Sequence, residues 1–219
     1  MPKKGFIFDL DGVIVDTAKY HYLAWKKLAE SLGISFSKED NEQLKGVSRV
    51  RSLEKILDWG NVQLTPERFD TLLAEKNQDY LSYIAQMNEE EILPDVQRVL
   101  RIIKNCGIPV ALGSASKNAR RILDEVGLTH WFDAIVDGTQ VSKAKPNPEV
   151  FLIAADQLGV DPSSCVVIED AIAGIQAANA AGMYSIGIGK PEILNEARVV
   201  FPDFTQMSDD FLLNLITSS

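Results

Sequence analysis

Short, unbroken apolar runs recur along this chain at residues 6–8, 109–112, 165–168 and 184–188, with a weaker one at 134–136. Their length and their β-branched content suit buried strands. Between them lie segments with helical spacing. Val96, Val99, Leu100 and Ile103 hold it up to Gly107, Ile122, Leu123 and Val126 up to Gly127, and Phe151, Ala154, Ala155 and Leu158 up to Gly159; each helix stops on a glycine. Strands that are apolar at every position, rather than at every second one, are covered on both faces. Alternated with helices, they predict an α/β fold, a doubly wound parallel sheet of Rossmann-like type.

One region departs from the alternation. Between residue 18 and about residue 88 no convincing strand is present, only helical spacing: Trp25, Leu28 and Leu32 before Gly33, then Phe69, Leu72, Leu73, Lys76 and Tyr80 after a Thr65-Pro66 start. The region reads as a helical cap domain over 16–92, inserted after the first strand of a core domain made of 1–15 and 93–219. Its hinges fall near 15–18 and 86–93, and two short crossings suit a lid.

In an open parallel sheet, ligands bind beyond the carboxyl ends of the strands, so the residues after each apolar run carry the information. The first run ends in Asp9-Leu10-Asp11-Gly12, the second in Gly113-Ser114-Ala115-Ser116-Lys117-Asn118, the third in Glu169-Asp170, and Lys143-Ala144-Lys145-Pro146 precedes a helix. Carboxylates gathered at one place raise one another's pKa, and a hard divalent cation removes that conflict. Magnesium, which takes one or two carboxylates together with phosphate oxygens, fits a site shared by Asp9 and Asp170. A carboxylate there can attack phosphorus. Asp11, two residues on and on the same side of an extended chain, is placed to exchange a proton with a sugar oxygen. Ser114 and Lys145 would hold the transferring group. Taken singly, each feature has a plainer explanation: a turn for Asp9 and Asp11, a solvated helix start for Glu169 and Asp170, a surface position for Lys145, a cap for Ser114. Four strand ends carrying suitable groups in order are what argue for one site.

Charge narrows the ligand class. The chain has 31 acidic and 22 basic residues, a formal charge of -9 and a pI near 4.8, which argues against a nucleic-acid surface or a polybasic membrane contact. The two cysteines, Cys106 and Cys165, have no metal-type spacing, and buried thiols in a reduced cytoplasmic setting are expected. The apolar run behind Lys3 and Lys4 breaks at Asp9, too early for a signal peptide, and no run reaches membrane-spanning length.

At these residues the chain resembles the haloacid dehalogenase superfamily, whose members share DxDG at the first strand, Ser or Thr at the second, a lysine, and an acidic pair at the last. Within it the likeness is to the mutases of glucose phosphate, through FDLDGVIVDTAKYHYLAWK, NEQLKGVSR, GSASKN, AKPNPEVF and VIEDAIAGIQAA. The resemblance implies conversion of β-glucose 1-phosphate to glucose 6-phosphate through β-glucose 1,6-bisphosphate, with Mg2+. It makes Asp9 the nucleophile and a metal ligand. Asp11 becomes the general acid and base, its backbone carbonyl on the metal; Asp170 is the further metal ligand and Glu169 supports the coordination shell. Ser114, Ala115 and Lys145 match the proximal phosphate site, and Arg49 with Ser116, Lys117 and Asn118 the distal one, where a planar guanidinium can hold two phosphate oxygens.

In the cap, the resemblance offers His21 and Lys76 as sensors of the sugar, and Lys45, Gly46, Val47 and Ser52 as its sugar-binding segment. Trp25, one helical turn beyond His21, could border the sugar and reads more readily as cap core. His21, without the resemblance, would read as a polar residue on an exposed helix face. Two features depart from a simple match: Lys143 stands close to Lys145, and Arg51 offers a second guanidinium beside Arg49. A phosphosugar ligand, a monomeric state and a cytoplasmic location are expected. The nearest rival is a sugar-phosphate or phosphoglycolate phosphatase of the same superfamily, sharing every core residue; a phospho-accepting receiver module is a more distant one, being far shorter and without a helical insertion.

Overall fold

The computed structural model describes residues 4–44 and 47–217. The chain separates into two compact units, one formed by the residues up to Asp16 together with those from Asn88 onward, the other by Thr17–Met87.

The first unit is a six-stranded sheet in the order β3-β2-β1-β4-β5-β6, with every neighbouring pair parallel. Its strands are β1 (Gly5–Phe8), β2 (Val110–Gly113), β3 (Ala134–Val136), β4 (Cys165–Glu169), β5 (Tyr184–Ile188) and β6 (Val199–Phe201). All residues of β1 to β4 are buried, as continuous apolar runs require. The order is that of the doubly wound fold, and the direction of winding reverses between β1 and β4. Phe6 of β1 therefore lies between Val110 and Val166, and Asp9 leaves the sheet beside Glu169. β6 was not foreseen. It has three half-buried residues and pairs on one side alone, too short and too exposed to read as a buried strand.

Helices α5 (Val96–Asn105), α6 (Ala119–Glu125), α7 (Glu149–Leu158), α8 (Ile172–Ala180) and α9 (Asp209–Thr217) belong to this unit. The four apolar positions expected on α5 are all fully buried. Phe151, Ala154 and Ala155 of α7 pack with Ile7, Ala111 and Val167 of the sheet, and Gly159, at φ 62°, closes α7 in the left-handed conformation. Arg98 of α5 ties down the segment before α9: it donates to the carbonyls of Phe204 and Met207 at 2.8 Å and also reaches Asp95 and Asp209.

The second unit is helical, with α1 (Ala18–Ser31), α2 (Lys38–Glu42), α3 (Arg49–Gly60) and α4 (Pro66–Ile84). Trp25, Leu28, Ile34, Phe36, Leu53, Ile56 and Leu72 form its core. The starts of its helices are written in capping residues: Ser37 forms a capping box with Asp40, Ser48 accepts from the Arg51 amide, and Thr65 accepts from the Arg68 amide ahead of Pro66. Among the described residues no helix is long and apolar enough to cross a membrane.

Candidate active site

β1 delivers Asp9 to the point where the winding of the sheet reverses, and two other elements meet it there. Lys145, from the loop before α7, donates to Asp9 Oδ1 at 2.6 Å, to Glu169 Oε1 at 2.7 Å and to the Gly113 carbonyl at 3.1 Å. The three side chains are almost wholly buried: 6% of Asp9, 8% of Lys145 and 1% of Glu169 is exposed. The other oxygen of Glu169 accepts from the Ala171 amide at 2.7 Å. Asp170 is half-buried beside them. Gly12, at φ 79°, passes so close to Asp170 that a Cβ there would lie 2.1 Å from Oδ2. Both the backbone angle and the space call for glycine, which is the physical content of the DxDG motif.

Carboxylate oxygens of Asp9, Glu169 and Asp170 all lie within 4.8 Å of one another. Hard oxygen donors so closely set, two of them buried, form a donor set suited to a small divalent cation such as Mg2+. Glu169 has one oxygen on Lys145 and the other on a backbone amide, and Asp9 shares the same ammonium.

Burial drives Asp9 toward its neutral form, and Glu169 and Asp11 push the same way while Lys145 opposes them; its pKa rises to about 7. Burial works against the Lys145 charge as well, yet Asp9 and Glu169 outweigh it and hold the ammonium charged well above the usual lysine range. Lys145 is thus the permanent cation of the site. Lys143, the competing ammonium in the sequence, is exposed, and its backbone amide donates to Glu149 at 2.6 Å. Asp11 is half-buried, close enough to raise the Asp9 pKa.

Ser114 follows β2 with no exposed surface. Its amide donates to the Val136 carbonyl at 3.0 Å, and its hydroxyl oxygen accepts from the Ser116 amide at 3.0 Å. Ser116 repeats the device one step on, accepting from the Asn118 amide at 3.2 Å. These local bonds compact the loop ahead of α6, leaving Ala115 and Lys117 exposed and Ser116 and Asn118 half-buried. Glu149, which sequence reasoning did not single out, anchors the other loop: its carboxylate accepts from the Ser142 and Lys143 amides and the Ser142 hydroxyl. An acid in the first turn of a helix was the available signal, and it also fits ordinary helix electrostatics.

Within the helical unit, Lys76 and His21 form a second cluster. Lys76 Nζ lies 3.0 Å from His21 Nδ1 and stands over the rings of Trp25 and Tyr80, at 4.5 and 4.7 Å from their centroids. The His21 and Tyr80 rings are 4.2 Å apart. Burial, then Lys76 and Arg49, hold the His21 pKa well below its ordinary value, so the neutral ring accepts from Lys76 through Nδ1. Trp25 is core, 3% exposed, and its face seats the Lys76 ammonium; Ser52 is likewise buried, at 2%. The burial of Trp25 agrees with its reading as cap core and not with a place beside the sugar, and the buried Ser52 offers little surface to one. Val47 is half-buried. Arg49 is half-buried with its pKa lowered by burial, whereas Arg51 is exposed and paired with Glu54 at 2.7 Å. Lys45 and Gly46 lie outside the described residues.

Known proteins share this arrangement over most of its length. Residues 3–182 match the haloacid dehalogenase-like hydrolase family. A β-phosphoglucomutase of Bacillus subtilis is 43% identical over 215 residues, 97% of this chain and 93% of that protein. A fructose-1-phosphate phosphatase of Escherichia coli is 36% identical over 184 residues, 84% of this chain and 95% of that protein. A crystal structure of a β-phosphoglucomutase from Clostridium difficile superposes with a TM-score of 0.92 at 42% identity, covering 98% of this chain and 97% of that one. With its acid-lysine centre at the switch point of the sheet, the chain belongs to the haloacid dehalogenase-like hydrolase family.

Proposed function

We propose that this chain is a phosphomutase interconverting β-D-glucose 1-phosphate and glucose 6-phosphate, with Asp9 as the carrier of the phosphoryl group. The observation that carries the reading is the buried Asp9-Lys145-Glu169 centre at the end of β1, in a chain 43% identical to a β-phosphoglucomutase over nearly its full length.

In the proposed cycle the phosphoryl group on Asp9 passes to O6 of β-glucose 1-phosphate. The P–O bond to Asp9 breaks as the bond to O6 forms, and Asp11 takes the O6 proton. The resulting β-glucose 1,6-bisphosphate presents its other phosphate to the freed Asp9 carboxylate. Asp9 attacks phosphorus, O1 leaves with the proton that Asp11 returns, and glucose 6-phosphate departs from a rephosphorylated enzyme. Ser114, the Ala115 amide and Lys145 hold the transferring group, and the fixed Lys145 charge meets the negative charge spread over its oxygens. A bound Mg2+, held by Asp9, Asp170 and the Asp11 carbonyl with Glu169 in support, would supply further neutralisation of that charge.

Selection of the sugar falls, in this reading, to the helical unit acting as a cap. Arg49, with Ser116, Lys117 and Asn118 of the core, takes the second phosphate, and His21 and Lys76 test for the sugar. The segment from Lys45 to Ser52 contributes through Arg49 rather than through the buried Ser52. The enzyme works on small phosphosugars as a cytoplasmic monomer.

The test is product partition. Incubated with β-glucose 1-phosphate, Mg2+ and a trace of the bisphosphate, the protein should form glucose 6-phosphate far faster than free phosphate. Free phosphate as the main product would replace the mutase with the phosphatase reading, which the Escherichia coli relative represents.

A further inference from the structure

Gly174 stands in the first turn of α8, in the alanine-rich run Ile172–Ala180. It is not among the glycines with positive φ. Its backbone therefore asks for nothing special, and alanine is the better helix former at such a place. What alanine lacks there is room. A Cβ on Gly174 would lie 1.8 Å from Oε1 of Glu169, 1.9 Å from its Cδ and 2.6 Å from its Cγ. The far end of a glutamate can usually swing away, but this one is held: Oε1 accepts from Lys145 at 2.7 Å, Oε2 from the Ala171 amide at 2.7 Å, and the residue is 1% exposed.

We propose that Gly174 is a positioning residue for the reaction: the bare face it gives α8 lets Glu169 lie against the helix and hold Lys145 on Asp9. A methyl group at 174 would drive the carboxylate outward by more than an ångström, taking with it one of the three acceptors of the Lys145 ammonium. The activity part of this inference rests on the proposed phosphoryl chemistry; the packing part stands without it.

The two parts are separated by a double-mutant cycle on metal-free protein, using Gly174→Ala, Glu169→Ala and the pair. With Glu169 present, Gly174→Ala should lower the unfolding midpoint. With Glu169→Ala, where the obstructing carboxylate is gone, the same change should raise it, because helix propensity alone remains. The same sign in both backgrounds, or failure of both alanine-174 proteins to fold, would overturn the proposal. Folding of the pair where Gly174→Ala alone fails is the sign reversal at its extreme and supports it. In turnover of acetyl phosphate with Mg2+, Gly174→Ala should lower kcat roughly 10- to 100-fold with little change in KM. The shorter acid in Glu169→Asp/Gly174→Ala should restore part of that loss. An unchanged kcat in Gly174→Ala would overturn the positioning role even if the stability reversal appears. A wild-type protein inert toward phosphate esters and acetyl phosphate would instead count against the reaction, leaving the packing claim to the cycle.

Discussion

Each unit of this molecule buries a lysine, and the two are accommodated in opposite ways. Lys145 of the sheet unit is met by two carboxylates, at 2.6 and 2.7 Å. Lys76 of the helical unit lies on the faces of Trp25 and Tyr80 and against a ring nitrogen of His21. Ion pairing in a buried site fixes an ammonium by strong charge-assisted bonds and leaves its neighbours dependent on it. Ring faces attract an ammonium more weakly, through the quadrupole of the aromatic ring. Burial, and after it the Lys76 and Arg49 charges, push the His21 pKa down. The contrast is between an ammonium fixed by carboxylates and one seated on aromatic rings beside a histidine, in keeping with the proposed division between chemistry and substrate selection.

The largest effect should come from the centre itself. Asp9→Asn keeps the shape of the residue and removes the nucleophile, so turnover of any phosphate substrate should fall by about 10^4-fold or more. A loss of only a few-fold, measured by steady-state kinetics, would move the chemistry elsewhere. Lys145→Met should come next: it strands the buried Asp9 and Glu169 charges, and metal-free protein should lose about 3–5 kcal/mol in urea unfolding. Lys76→Met, which removes a cation from ring faces, should cost clearly less; equal losses would erase the distinction drawn between the two lysines.

Among the guanidiniums, Arg49→Ala should lower kcat/KM for the sugar phosphate by roughly 10- to 100-fold, the worth of a charge-assisted phosphate contact of about 1.5–3 kcal/mol. Arg51→Ala, which breaks an exposed pair with Glu54, should change it by less than about twofold and leave stability almost unmoved. The smallest expected effect is a slope. His21 in the folded protein resists protonation below its ordinary pKa of 6.5, so as pH falls below that value the unfolded chain gains a proton that the folded one refuses. Stability should therefore decline with falling pH over that window, and His21→Asn should flatten the decline. A profile unchanged by the substitution would place His21 in an ordinary solvated setting.

The parts of the fold that periodicity could express were readable from the chain. The continuous apolar runs of β1, β2, β4 and β5, and the buried stripe Val96, Val99, Leu100 and Ile103 on α5, required a covered parallel sheet. The half-buried three-residue β6 carried no such run, and the start of α3 lay in a segment read for its ligands rather than its Ser48 cap. At the site, the acids and the lysine could be named because strand ends converge in this class of sheet. Two features came only from coordinates. Ser52 was legible as a neighbour of useful residues, but its burial shows only in the folded chain. Gly174 gives no signal in a helix whose other small residues are alanines, since the reason for it lies five residues back along the chain in the carboxylate of Glu169.

The central claim is that Asp9 carries the phosphoryl group, taking it from O1 of one sugar and giving it to O6 of the next. It is tested most directly by mixing the protein with Mg2+ and acetyl phosphate, quenching, reducing with borohydride and locating the modified residue by peptide mass spectrometry. The account predicts reduction of one acyl phosphate, at Asp9; if it is formed from labelled acetyl phosphate and the donor is then removed, added β-glucose 1-phosphate should carry the label into glucose 6-phosphate while Asp9 is refilled with unlabelled phosphate from the sugar. Modification at another residue, or label that stays on Asp9 or is released as free phosphate instead of entering glucose 6-phosphate, would contradict it.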